Sequence, residues 1–118
     1  MQTDSILNTT KKLLGIGKDQ TDFDIDVIIH INAVFSILSD LGVGPENGFS
    51  ITDESTQWSE YTQDEIVLEK VKTYMYLKVR LYFDPPTNST LLESMTNLAS
   101  EMEWRLNVNV DTKKDSEG

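Results

Sequence analysis

The sequence predicts an all-α fold: a small bundle of about four helices around a long, partly structured central loop, with room in that loop for a short β-turn or hairpin. Three observations predict it. Apolar residues recur at three- and four-residue steps through 25–41, 67–82 and 91–106. Helix stops punctuate the chain at Gly15 with Gly17, at Gly42 and at Pro85-Pro86. The length of 118 residues suits one domain, and with no Cys neither a disulfide nor a thiolate metal site can hold it together, so it must be packed by its apolar faces. The domain is expected over 1–110, followed by a polar, mobile tail over 111–118.

The first helix is expected over 5–14. Thr3 or Asp4 serves as N-cap, Ile6, Leu7, Leu13 and Leu14 supply the apolar positions, and Lys11, Lys12 and Lys18 sit near the end that favours positive charge. For the second helix, Asp22 or Asp24 offers a cap and Asp26 suits the positive end. Ile25, Ile28, Ile29, Phe35, Leu38 and Leu41 form the expected face, and Gly42 is the left-handed stop. The run Val27-Ile28-Ile29-His30-Ile31 is β-branched, but the length of the pattern and its caps favour helix over strand.

The connection over 42–61 contains Gly42, Gly44, Pro45 and Gly48 and is too long for an idle turn. Trp58 and Tyr61 in it are expected to pack back on the core. The third long helix is expected over 64–83, with Val67, Val71, Tyr74, Met75, Leu81 and Tyr82 as its stripe and Ile66, Leu77 and Val79 widening it. So wide an apolar surface implies burial on more than one side, by core helices or by another subunit. Glu69 and Lys72 are spaced as a weak i,i+3 pair. The fourth helix starts within 87–90, with Thr90 and Glu93 as a capping box or Thr87 or Asn88 as an earlier cap. Leu91, Met95, Leu98, Met102 and Leu106 form its stripe, and Glu101 pairs with Arg105. Met75, Met95 and Met102 read as core fillers.

The formal charge is −10, and twelve of the twenty acids fall between Lys18 and Lys70, where no Lys or Arg occurs. Such a balance excludes a non-specific nucleic-acid binder and an anionic membrane surface, because both need exposed cations. No apolar run approaches the ~20 residues of a membrane span, and the first residues carry no basic, apolar leader, so a soluble protein made in a cytoplasm is expected.

No constellation of catalytic residues emerges. Asp22-Phe23-Asp24-Ile25-Asp26 suggests a calcium loop, but the sixth and twelfth positions are Val27 and Ala33 where Gly and Glu are needed. His30 is the one histidine, and its expected use is a local hydrogen bond to Asp26 one turn away. Gly15-Ile16-Gly17-Lys18 and Gly42-Val43-Gly44 lack the spacing of a phosphate loop. No cofactor and no metal site is expected, and the chain does not read as an enzyme. Two classes of function follow from the residues alone: an assembly protein that buries its broad helix against copies of itself or a partner, and an acidic regulatory or DNA-mimic protein that inhibits a nucleic-acid-binding partner.

Two stretches narrow the choice. One is His30-Ile31-Asn32-Ala33-Val34-Phe35 followed by Leu41-Gly42-Val43-Gly44-Pro45-Glu46-Asn47-Gly48-Phe49. The other runs Val71-Lys72-Thr73-Tyr74-Met75-Tyr76-Leu77-Lys78-Val79-Arg80-Leu81-Tyr82-Phe83-Asp84-Pro85-Pro86, with Glu103-Trp104-Arg105-Leu106-Asn107 after it. Over about 6–110 the chain resembles the head–tail connector proteins of tailed phages and prophages. The resemblance implies a virion protein of the neck, made in the host bacterial cytoplasm. It implies a homo-oligomeric, dodecamer-like ring docked on the portal, extending the DNA channel and receiving the stopper or head-completion protein. Double-stranded DNA would pass through without specific binding. In such proteins a C-terminal segment, here 106–118, commonly reaches into the portal.

On this reading Tyr74, Tyr82, Phe83, Trp104, Leu106, Val108 and Val110 are candidates for the subunit or portal interface. Glu46, Asp53, Glu54 and Glu60, the loop acids without a capping explanation in the sequence, are candidates for facing the channel.

Overall fold

The structure, a computed structural model, describes residues 4–117, with side chains through Val108. Five helices follow in order: α1 (Ile6–Leu13), α2 (Asp24–Asp40), α3 (Trp58–Tyr61), α4 (Glu65–Phe83) and α5 (Ser89–Glu117). The fold is the expected small all-α bundle, with one short helix added inside the central loop. α4 is the shared element: it packs on both α2 and α5, and α1 closes against α2 and α4. α5 carries the helical backbone on through Glu117. No described helix is long and apolar enough to cross a membrane.

No hairpin forms in the central loop. Among the described residues the β pairing is one isolated antiparallel bridge between Ser5 and Gln57. Around it, the Ile6 amide donates to the Thr56 carbonyl and the Trp58 amide to the Asp4 carbonyl, both at 3.0 Å. The loop thus spends its backbone groups on the start of α1, not on a partner strand within itself. α1 is capped by Ser5, whose hydroxyl accepts from the Asn8 amide.

The α2 start also differs from expectation. Phe23 is the N-cap residue and makes no side-chain cap. Asp24, already helical, places Oδ1 2.7 Å from Lys11 Nζ. Lys11 is only 1% exposed and also donates to the Lys18 carbonyl at 3.2 Å. A buried ammonium needs a counter-charge, and this outweighs a capping bond that a solvated end can do without. The α2 end is as expected: Gly42 adopts φ +84°, its amide donates to Ser39 O at 3.0 Å, and the Val43 amide donates to Leu38 O at 2.9 Å. These two bonds make a Schellman stop, sealed by the burial of both Val43 and Leu38. α5 is capped by Asn88, whose Oδ1 accepts from the Leu91 amide at 3.0 Å.

The core joins Ile6 and Leu7 of α1, Val27, Ile31, Val34, Phe35 and Leu38 of α2, Val71, Tyr74, Met75, Leu77 and Val79 of α4, and Met95, Ala99, Met102 and Leu106 of α5. The three methionines are core fillers, as their stripes imply. The loop contributes Val43, Ile51, Trp58 and Tyr61. Phe35 gathers three rings, with centroids at 5.1 Å to Phe49, 6.1 Å to Trp58 and 4.9 Å to Tyr61. Two polar clasps hold the loop down. The Asn32 side-chain amide donates to Ile51 O at 2.9 Å while its Oδ1 accepts from Ile51 N at 2.8 Å. Trp58 Nε1 donates to Thr9 Oγ1 at 2.9 Å.

Candidate functional site

The surfaces available for function follow from which apolar residues the core leaves out. On α2 the buried set is Val27, Ile31, Val34, Phe35 and Leu38. At 100° per residue this puts Ile25 and Ile29, two of the residues expected inside, on the opposite face. They are 75% and 58% exposed, and Ala33 one turn further is also exposed. Asp22 and Asp26 flank them, both exposed.

At the start of α2 and the end of α4 lies an aromatic seam. Phe23 meets Phe83 edge-on at 5.6 Å, and His30 packs against Tyr82 at 5.7 Å and Phe83 at 6.3 Å. His30 therefore serves as an aromatic partner; the hydrogen bond to Asp26 expected from their spacing is not among those its ring makes in the described residues. Lys78 Nζ stands 5.0 Å from the Tyr82 ring centroid. Phe23 and Tyr82 keep about two-fifths of their surface in solvent, so the seam is closed inside and open outside.

α5 buries Met95, Ala99, Met102 and Leu106 against α4. Trp104, 67% exposed, and Val108 then lie on its outer face. Leu91, Leu92 and Leu98 are exposed at the edges of the buried stripe. Arg105 beside Trp104 donates to Glu101 Oε1 at 2.7 Å, the expected i,i+4 pair, with both side chains in solvent. The Glu69 to Lys72 spacing is not used: Lys72 Nζ stands 3.8 Å from Asp4 and 5.8 Å from the Trp58 ring.

Of the interface candidates, Tyr82, Trp104 and Val108 are exposed and Phe83 is half-buried in the seam. Tyr74 and Leu106 are buried inside the subunit and offer it packing, not surface. Tyr74 hydroxyl donates to Glu103 Oε2 at 2.7 Å, and Lys78 Nζ approaches the same oxygen at 3.7 Å. Burial, reinforced by the Glu103 carboxylate, pushes the Tyr74 phenol above its ordinary range, and burial alone does so for Tyr61. The Val110 side chain lies outside the described residues.

All four loop acids are exposed. Three of them also have a local task. Asp53 accepts from Ser55 N at 2.8 Å and from the Ser55 hydroxyl, which holds its carboxyl below the usual range. Glu54 accepts from Asn8 Nδ2 at 3.1 Å, tying loop to α1. Glu60 accepts from Gln57 N at 2.8 Å and completes a capping box for α3. Exposure and loop structure are thus compatible in these acids.

An open cleft of about 560 Å³ runs between α2 and the loop, lined by Asn32, Ser36, Ser39, Asp40, Asn47 and Phe49 among others. Its serines have no His or Lys among the lining residues to activate them. No group of three or more His, Asp or Glu side chains among the described residues could hold a metal ion. What the arrangement can do is adhere: it presents apolar faces on the outer helices and an acidic, cation-free loop.

The family model described as phage connector protein matches residues 6–113. The chain belongs to the phage connector protein family. The match takes in all five helices up to the last turns of α5. Neither the curated proteins nor the solved structures match it. The exposed faces of this connector are therefore surfaces of a phage assembly component. Sequence reasoning put Ile25 and Ile29 in the core and missed Phe23. The available signal was that α2 is apolar on two faces, when one is enough for a helix packed on a small core.

Proposed function

We propose that this connector is the adaptor of the phage neck. It is a structural, non-enzymatic virion protein, made in the host bacterial cytoplasm, that joins head to tail. It docks beneath the portal as a dodecamer-like homo-oligomeric ring, extends the DNA channel and receives the stopper or head-completion protein. The observation that carries this reading is the family match over residues 6–113. The apolar side chains left in solvent on α2, α4 and α5 support it, because a subunit with neighbours on several sides needs such faces.

Tyr82, Phe83, Trp104, Val108 and Val110 serve the subunit or portal contacts, with Tyr74 and Leu106 as the packing behind them. Glu46, Asp53, Glu54 and Glu60 face the channel. Their exposure and the absence of any Lys or Arg between Lys18 and Lys70 support that role. Like charge keeps phosphates from sticking, so double-stranded DNA passes without specific binding. The test is a pair of measurements. Purified connector mixed with the cognate portal gives rings on the portal by electron microscopy, and particles lacking the connector have filled heads without tails. No association with the portal, together with tailed particles in its absence, overturns the reading.

A further inference from the structure

We propose that in this ring the outer face of α2 of one copy receives the outer face of α5 of the next, with Trp104 seated over Ile25 and Ile29. The inference rests on the adaptor reading for its ring and adds which faces close it.

Each face lies opposite the buried stripe of its own helix, and α2 and α5 both pack on α4. Ile25, Ile29 and Trp104 all stay exposed, so the two faces do not cover one another within one chain. They differ in shape. Ile25 and Ile29 stand one turn apart, with only the small Ala33 on the next turn, so they form a shallow apolar shelf. Trp104 is a large ring projecting from a helix surface, with Val108 one turn beyond it. A protruding aromatic and a shelf of short branched side chains are complementary in the way of a knob and its seat.

Charge excludes the symmetric alternative. Asp22 and Asp26 flank the shelf, and on its Ile25 side Asp19 and Lys18 line one cleft with Ile25, so acids outnumber the cation there. Two α2 faces brought together would set these carboxylates against each other. The α5 face brings a further cation. Arg105 adjoins Trp104 and is held only by Glu101 on its own helix, at the surface, where such a pair is worth little and exchanges readily. Pairing two α5 faces would leave the shelf in water in every copy. A head-to-tail contact uses both faces in each copy, and it closes into a ring when the rotation between copies divides a full turn.

The chain has no Cys, so single thiols can be placed without background. Ile29→Cys and Trp104→Cys are made separately and together, and assembled with the cognate portal or at high concentration. They are then treated with a short thiol-to-thiol bismaleimide. The expected result has three parts. Each single variant alone stays monomeric on a denaturing gel. The two single variants mixed give a covalent dimer containing one of each. The double variant gives a ladder of multimers. Ile25→Cys with Val108→Cys is the second pair and gives the same pattern if the helices run along each other. Because all four positions are exposed, circular dichroism should match the parent chain. Rings visible by microscopy with no ladder from either pair overturn this inference and leave the adaptor reading intact. A homodimer from Trp104→Cys alone overturns it in favour of a symmetric contact. No ring from the parent chain, with or without portal, overturns the adaptor reading and this inference with it.

Discussion

Replacing Asn32 tests how the central loop is held. Its side chain makes two bonds to one residue, accepting from Ile51 N at 2.8 Å and donating to Ile51 O at 2.9 Å, and Ile51 is buried. Asn32→Ala removes both bonds, at about 1 kcal/mol each, and leaves an amide and a carbonyl short of partners at a buried residue. Because Asn32 is itself half-buried, water can reach part of the gap. A loss of about 2–4 kcal/mol is therefore expected. With a urea slope of about 2 kcal/mol/M for a domain of this size, the midpoint should fall by about 1–2 M. Asn32→Asp separates the two bonds. Its carboxylate still accepts from Ile51 N but confronts the Ile51 carbonyl, so its folded-state pKa is raised above the unfolded value of about 3.9. The stability it regains is present below the unfolded value and is lost as pH rises through the folded one. Urea melts followed by circular dichroism at about pH 7 and about pH 4 should show the gap between Asn32→Asp and the parent chain narrowing at the lower pH. A cost for Asn32→Ala below about 0.5 kcal/mol, or a gap for Asn32→Asp that ignores pH, would show that the clasp does not hold the loop.

Further substitutions probe the packing under the loop and its chemistry. A Cβ on Gly44, at φ +91°, would stand 2.6 Å from Tyr61 Cε1 and 2.7 Å from its hydroxyl, so Gly44→Ala should cost more than about 2 kcal/mol in a thermal or urea melt. The Tyr61 hydroxyl is buried without a hydrogen-bond partner, and Tyr61→Phe should be neutral or stabilising by up to about 1 kcal/mol by the same melts. Tyr74→Phe deletes the 2.7 Å bond to Glu103, which still has Lys78 beside it, and should destabilise by about 1–2 kcal/mol. Both Tyr61 and Tyr74 have phenol pKa values raised in the folded state, so the unfolded chain loses these protons first. The contribution of these two groups is constant below about pH 10 and falls above it, with a slope that approaches about 1.4 kcal/mol per pH unit for each tyrosine. Urea melts above pH 10 should show a shallower decline in Tyr74→Phe than in the parent chain.

The features legible in the sequence were those in which one physical demand acts alone. Gly42 ends α2 because only a left-handed residue allows the Schellman bonds to Ser39 and Leu38, and no tertiary contact competes. Pro85-Pro86 follows α4 for an equally local reason. Trp58 and Tyr61 were expected inward because no polar task offsets the gain from burying rings of that size, and both are buried. Elsewhere a distant residue decided the outcome. Asp24 looked like a cap, yet Lys11, thirteen positions earlier, needs its charge more. The bridge between Ser5 and Gln57 joins positions that no local pattern connects, and it stands where the sequence left room for a short β-turn or hairpin. Tyr74 and Leu106 lie on apolar stripes and were interface candidates on the family resemblance, yet both are buried within the subunit. Periodicity alone does not distinguish a stripe facing α4 or α5 from one facing another molecule.

That last difficulty is sharpest in α2 and also carries information. A helix packed on one side of a small core needs about a third to a half of its circumference apolar. α2 buries Val27, Ile31, Val34, Phe35 and Leu38 and still has Ile25 and Ile29 left over on the far face. Either set read alone gives plausible helical spacing, so the pattern cannot select the inward one. The choice falls to the elements packed around α2: Phe49, Trp58 and Tyr61 gather at Phe35, and α4 completes that side. Once that side is filled, the two isoleucines stay wet in the isolated subunit, where each forgoes about 1.5–3 kcal/mol of burial. Nothing in the folding of one chain requires them there, and two aspartates beside them make the face a poor site for nucleic acid. A second apolar face on a helix whose first face is satisfied suits a contact with another molecule, and this chain belongs to a family of phage connectors. On the adaptor reading proposed above, the surplus in the pattern is what the folded subunit offers to its neighbours.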